Sequence, residues 1–299
     1  MAEEKFPWLT FVVVVIVIAA AVGGGIYLLS VTVNKRYSPS PPATIVEGDN
    51  VSVNYIGVFG TGINQGEVFD TSLLSVATNN ATFPKALSFS FRGVSGYVPL
   101  EAHVGPQSYT PFSSLITGFW QGLIGMHVGQ TKILTIPPSL GYGGANQSLI
   151  HTYPLVTTIP MVYTYSPSEF GTLYGGIAAQ AGATFTDPHY GWTDVILASN
   201  STSVVLEFAP YLGQVVHPYS WPVVVTNVST PHNGTGAITL TNQLYPSDVG
   251  SIKGNNTGTS GQTFYLTNVN PEAGTYTLDY NPETAGNTLI FTVTVVQLF

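Results

Sequence analysis

Hydrophobic positions in this chain fall into three regimes. Residues 8–33, WLTFVVVVIVIAAAVGGGIYLLSVTV, are almost continuously apolar. A run of that length predicts a membrane-spanning helix, for which about 20 residues suffice. A cleaved leader has a shorter apolar part of about 7–15 residues. Trp8 and Tyr27 suit the two interfaces, and Lys35-Arg36 close the run. After a linker at 35–44, rich in Pro and Ser, the pattern becomes that of strands: NVSVNYIGV and TKILTIPP alternate or run apolar. One stretch, PFSSLITGFWQGLIGMHVG, instead has Leu115, Phe119, Leu123 and Met126 at helical spacing. It predicts a helix with one buried face, capped at Ser113 or Ser114 and ended by Gly125 or Gly129. The third regime, residues 147–286, is dense in turn residues, with strand-like runs at TDVILA, SVVLEFAP, WPVVVTNV, GAITLTN, QTFYLTNV and GTYTLDYN. NTLIFTVTVVQLF then closes the chain.

Composition narrows the reading. Only 7% of the 299 residues are charged, against roughly 25% in an ordinary soluble protein. Yet 44% are hydrophobic and 12% aromatic, which argues against disorder. The seven Lys and Arg form no basic stripe, so nucleic-acid binding is not expected. Few titrating groups predict a stability that varies little with pH, a property suited to an extracellular, acidic setting. With no Cys there is no disulfide or thiol chemistry, and the six His lie without ligand spacing, so no metal site is expected.

The chemistry-bearing residues come in three ordered blocks. The first is Val53-x-Tyr55-x-Gly57, then Gly66-Glu67-Val68-Phe69-Asp70-x-Ser72. The second is Leu115-Ile116-x-Gly118-Phe119-x-x-Gly122-Leu123-x-Gly125-Met126-x-Val128-Gly129. The third is Leu134-Thr135-Ile136-Pro137-Pro138, with Tyr142-Gly143 after it. Together they resemble the FKBP-type peptidyl-prolyl cis-trans isomerases. The resemblance covers residues 45–146 and 287–299. It implies an α+β fold: an antiparallel sheet wrapped on one helix, interrupted by a mainly-β inserted domain and preceded by the transmembrane helix. The insert, 147–286, divides into 147–228 and 229–286 on a faint internal echo between its strand pairs.

The resemblance further implies that Tyr55, Phe69, Asp70 and Tyr142 act on substrate. Phe89, Leu115, Ile116 and Phe119 would line its pocket, with Phe119 standing where the family usually has Trp and Trp120 next to it. Turning an X-Pro bond must break amide resonance across a barrier near 20 kcal/mol. A dry aromatic bowl suits the twisted amide, which is less polar than the planar one, and no cofactor is needed. Taken singly, Phe69, Leu115, Ile116 and Phe119 read as ordinary core residues, and Asp70 as a turn residue.

The insertion begins beside Tyr142, where SlyD-like members of the family carry a chaperone domain, and the return at Asn281-Pro282-Glu283 through Val295 resembles their re-entry. Tyr153, Met161, Tyr163 and Tyr165 are the expected exposed contacts for unfolded chain. The expected protein is a single-pass membrane isomerase with a fused chaperone domain. Its partners are unfolded or proline-containing polypeptides, with membrane lipid at residues 8–33. The N-x-S/T sites at Asn50, Asn80, Asn146, Asn200, Asn227, Asn233 and Asn255 place its body outside the cell membrane, against a slight opposite lean of the flanking cations. The alternative is a catalytically weak FKBP-like scaffold subunit of a surface-protein complex. A β-rich adhesin with incidental isomerase features is a third reading.

Overall fold

The computed structural model describes residues 42–229, 236–255 and 263–299. The anchor at 8–33, most of the linker and Asn233 lie outside the described residues. Among the described residues, no helix is long and apolar enough to cross a membrane. The chain packs as two units, residues up to 145 with 282–299, and residues 146–281.

In the first unit, strand β1 (Asn50–Phe59) is the centre of a five-stranded antiparallel sheet. Strands β2 (Val68–Thr71) and β3 (Leu100–His103) pair with successive halves of one edge of β1. The other edge takes the carboxy-terminal strand Leu289–Leu298, which in turn pairs with β4 (Thr131–Ile136). Alternation assigns the faces. Val51, Val53, Tyr55 and Phe59 join Leu289, Phe291, Val293 and Val295 in one buried cluster. Ile56, Val58 and Ile290 point the other way, toward Val68, Val76, Phe83 and Phe89.

Helix α1 (Leu74–Ala77) is one turn long, and α2 (Thr117–Leu123) lies on the larger cluster. Helix α2 is shorter than the apolar spacing predicts. Ile116 is extended at its start, so Leu115 and Ile116 precede the helix, and neither Ser113 nor Ser114 caps it. Gly125 then takes a positive φ of 81° just beyond its end, the expected stop. Two glycines set its distance from the sheet. A Cβ on Gly118 would come within 2.5 Å of Ile136, and one on Gly122 within 2.6 Å of Leu134.

The second unit holds three four-stranded antiparallel sheets. In the first, the order is Val162–Tyr165, Val204–Phe208, Thr193–Ser199, Thr184–Thr186. The second runs Val215–Val216, Val223–Ser229, Ala237–Asn242, Val156–Pro160. The third is Lys253–Asn255, Thr263–Asn270, Thr275–Asp279, Ile150–Pro154. All six strand-like runs of the sequence form strands here. The edge strands at 150–165 are missing from that reading because Pro, Thr and His dilute their pattern. Helix α3 (Pro167–Leu173) also went unread, although Ser166 and Glu169 form a capping box at its start, a signal visible in sequence. The 228/229 division falls within the strand Val223–Ser229, which pairs with Ala237–Asn242, so both halves share a sheet. One apolar cluster runs from Met161 to Leu278.

Candidate functional site

The site is built where β1, β2 and the carboxy-terminal strand face α2. Tyr55, Phe69 and Phe291 point to this side, and Phe119 rises from the helix to meet them. Phe119 and Phe291 are edge-to-face with centroids 4.9 Å apart. Phe69 meets Phe291 edge-on at 5.4 Å, and Tyr55 meets Phe119 edge-on at 6.1 Å. Such T-shaped contacts satisfy the ring quadrupoles and fix ring orientation. Gly57 makes the arrangement possible, since a Cβ there would lie 2.8 Å from both Phe69 and Phe291. Leu115 and Ile116 pack half-buried against the same cluster.

One polar group sits at the edge of these rings. The Tyr55 hydroxyl donates to the Asp70 carboxylate at 2.5 Å. Thr71 N–H donates to the other Asp70 oxygen at 2.8 Å, and Arg92 approaches that oxygen at 3.4 Å. The Arg92 guanidinium also donates to the Thr71 carbonyl. Tyr55 itself is pinned through its backbone. Its N–H donates to the Ser72 hydroxyl at 2.9 Å, and its carbonyl accepts from the Thr71 hydroxyl at 2.7 Å. Burial, with the Asp70 charge and hydrogen bond adding to it, drives the Tyr55 pKa far up, so this phenol stays protonated. Asp70 and Arg92 side chains are 43% and 42% exposed. An ion pair that open contributes on the order of 1 kcal/mol or less, so its value here is orientation.

Tyr142 follows the short turn Pro138–Leu140, with its ring 53% exposed. Partial burial, and then the Asp70 carboxylate, raise its pKa. Tyr55, Phe69, Asp70, Leu115, Ile116 and Phe119 therefore belong to one region of the first unit.

Phe89 does not join them. It packs with Val58, Val68 and Val76 on the opposite face of the sheet. The cause is the loop before it: residues 84–86 run beside β2, and Ser88 N–H is held by Glu283 at 2.6 Å. The strand that follows β2 beside β1 is instead β3, whose Leu100 packs on the aromatic cluster. Trp120 is also buried in that cluster, beside Phe119. Sequence reasoning missed Phe291 and Arg92. Phe291 was readable from the alternation Leu289, Phe291, Val293, Val295, whereas Arg92 sits in a loop with no periodic signal.

The four residues expected to face unfolded chain do not form an exposed surface. Met161 is buried, and Tyr153, Tyr163 and Tyr165 pack half-buried on the core of the second unit. Their strands use these rings as core: Tyr153 stacks on Tyr276, and Tyr163 lies against Phe208. The large exposed side chains of this unit include Tyr211, Leu212 and Val215.

Residues 42–158 match the family of FKBP-type peptidyl-prolyl cis-trans isomerases. The chain carries an FKBP-like domain. Over 110 residues it is 36% identical to a short-type peptidyl-prolyl cis-trans isomerase of Methanocaldococcus jannaschii, covering 37% of this chain and 58% of that protein. It is 27% identical over 187 residues to the Homo sapiens peptidyl-prolyl cis-trans isomerase FKBP9, covering 59% of this chain and 27% of that one. FK506-binding protein 2 of Kluyveromyces lactis is 33% identical over 97 residues, 32% of this chain and 48% of that protein. The chain thus spans between a quarter and three-fifths of the length of these relatives. In the FKBP-like domain, the matched stretch includes every ring of the site except Phe291, which arrives with the carboxy-terminal strand.

Proposed function

We propose that the FKBP-like domain catalyses cis-trans isomerisation of X-Pro bonds in polypeptides. The observation that carries this is the aromatic group Tyr55, Phe69, Phe119 and Phe291 with Asp70 held at its edge by the Tyr55 hydroxyl. The proline ring of a substrate would pack on these rings. Water excluded by them cannot stabilise the planar, more dipolar amide, so the twisted state is relatively favoured. In this reading Tyr142 would donate to a substrate carbonyl, and Asp70 would orient Tyr55 and face the amide. No covalent step is needed.

The rest of the proposal rests on the sequence. The apolar run at 8–33 would anchor the protein in the cell membrane with its body outside. The second unit would act as a SlyD-like chaperone domain that gathers unfolded chain. Its exposed Tyr211, Leu212 and Val215 are better suited to that contact than the half-buried tyrosines. The gain is effective concentration, because capture on the same chain makes the next encounter intramolecular.

The test is proline-limited refolding of a model protein by the full chain in lipid nanodiscs, with Asp70→Ala and Tyr142→Phe beside it. Acceleration by wild type that both substitutions weaken supports the reading; refolding no faster than in buffer removes it. Protease added outside intact cells should digest the body, and full protection would reverse the topology.

A further inference from the structure

The loop between β2 and β3 ends in an arm, residues 91–98, of which only Arg92 has a role assigned so far. Its sequence is Phe-Arg-Gly-Val-Ser-Gly-Tyr-Val. Arg92 is its root. That side chain reaches Asp70 and the Thr71 carbonyl, and the Arg92 N–H donates to the Tyr97 hydroxyl at 3.2 Å. The guanidinium lies 5.1 Å from the centre of the Tyr97 ring, and Phe91 packs on the same ring at 5.3 Å. A single 3₁₀ turn, Val94–Gly96, closes the arm, entered through Gly93 at a φ of 75°. Two residues beyond it the chain enters β3 beside β1. Both ends of the arm are thereby fixed at the candidate site.

What the arm presents outward is apolar. Phe91, Val94 and Val98 are 52%, 68% and 61% exposed. Its one charge, Arg92, is turned inward onto Asp70. An ordinary loop tip is polar, so an ordered turn displaying three large apolar side chains beside a site points to an apolar occupant.

We infer that Phe91, Val94 and Val98 form a second contact for the polypeptide substrate, binding an apolar segment a few residues from the proline. This rests on the isomerase reading of the same site. The occupant follows from the chemistry. An X-Pro bond lies inside a chain, so residues on both sides must leave the site. Each extended residue carries the chain about 3.3–3.6 Å, so the arm, one arginine side chain from Asp70, is met within a few residues. A tetrapeptide leaves at most a residue or two on either side of its proline to meet the arm; an unfolded protein supplies a continuous segment. Apolar segments are what an unfolded chain exposes and a folded one buries, so the arm favours unfolded clients without reading their sequence.

The experiment uses the full chain in lipid nanodiscs and the triple variant F91S/V94S/V98S, with Val94→Glu as a milder single change at the most exposed position. Binding of a fluorescent, reduced and carboxymethylated protein is read by anisotropy, and isomerisation is read on a proline tetrapeptide. The expected result is a dissociation constant raised about fivefold or more, with tetrapeptide kcat/KM changed less than about twofold. Unchanged protein binding overturns the inference. So does an equal loss on the tetrapeptide, which would make the arm a support for Asp70 only. A concentration-dependent dimer that the substitutions abolish would also overturn it, assigning the patch to a second copy. If wild type fails on the tetrapeptide yet binds unfolded protein through the arm, the isomerase reading falls and the arm stands.

Discussion

The Tyr55 hydroxyl donates to the Asp70 carboxylate across 2.5 Å, between strands whose backbones are already tied by Ser72 and Thr71. One oxygen of the acid is therefore held by the phenol, and the other by the Thr71 N–H and Arg92 together. Removing either partner should act on catalysis more than on stability. In Tyr55→Phe the carboxylate keeps solvent contact, being 43% exposed, so the fold loses little. Loss of a hydrogen bond to a charged group, worth about 1.5–3 kcal/mol where it is fully expressed, should cut kcat/KM about tenfold or more. Tetrapeptide isomerisation and urea denaturation of the same variant separate the two effects.

Arg92→Leu should behave differently from Asp70→Ala. The Arg92–Asp70 pair is nearly half exposed and adds about 1 kcal/mol at most to stability. Its substitution frees Asp70 to sample other rotamers and also loosens the arm stacked on Tyr97. The expected outcome is a fall in kcat/KM of about two- to tenfold that grows less marked as salt is raised in the wild type, since screening already weakens the pair there. A salt series on both proteins measures it.

Gly57→Ala should destabilise the FKBP-like domain. The new Cβ would stand 2.8 Å from Phe69 and 2.8 Å from Phe291, below van der Waals contact. Overpacking of this kind costs about 1–3 kcal/mol, and here it would also displace two rings of the site. Denaturation midpoint and tetrapeptide kcat/KM should therefore drop together, unlike in Tyr55→Phe.

These residues show what was legible beforehand. Tyr55, Phe69 and Asp70 were singled out by ordered blocks that resemble the FKBP-type isomerases; read singly, Phe69 is a core residue and Asp70 a turn residue, and only the structure shows the Tyr55–Asp70 hydrogen bond. The seven-residue length of α2 was not legible, because Ile116 is extended at its start, a backbone state that the apolar spacing from Leu115 onward does not reveal. Phe89 misled because the loop before it runs beside β2, with Ser88 N–H donating to Glu283, a carboxylate almost two hundred positions away in the chain. Tyr153, Tyr163 and Tyr165 were read as surface because the SlyD-like resemblance implies an exposed face for unfolded chain, yet on an edge strand the inward-facing ring is core.

Few titrating groups suggested a fold indifferent to pH, and one buried acid in the second unit argues otherwise. Asp194 is fully buried, and neither carboxylate oxygen has a hydrogen-bond partner among the described residues. Burial, then the charge of nearby Asp187, raises its pKa from 3.8 to about 8. Asp187 is itself buried, accepting from His189 and Tyr190 N–H groups and from the Tyr174 hydroxyl at 3.4 Å. The sign follows from proton uptake. Between 3.8 and about 8 the folded unit holds a proton on Asp194 that the unfolded chain has released. Unfolding then releases a proton, so stability falls as pH rises through that window. Below it both states are protonated, and the full stability is present. Denaturant midpoints for the second unit, followed by Trp192 and Trp221 fluorescence, should therefore be higher at the acid end of the window than at its alkaline end. The loss across it should be on the order of a few kcal/mol. Asp194→Asn, which keeps the shape and removes the charge, should flatten the dependence and leave the alkaline form more stable than wild type. A midpoint that rises with pH, or a slope unchanged in the Asn variant, would show that Asp194 is charged in the folded unit and that some other group sets its pH response.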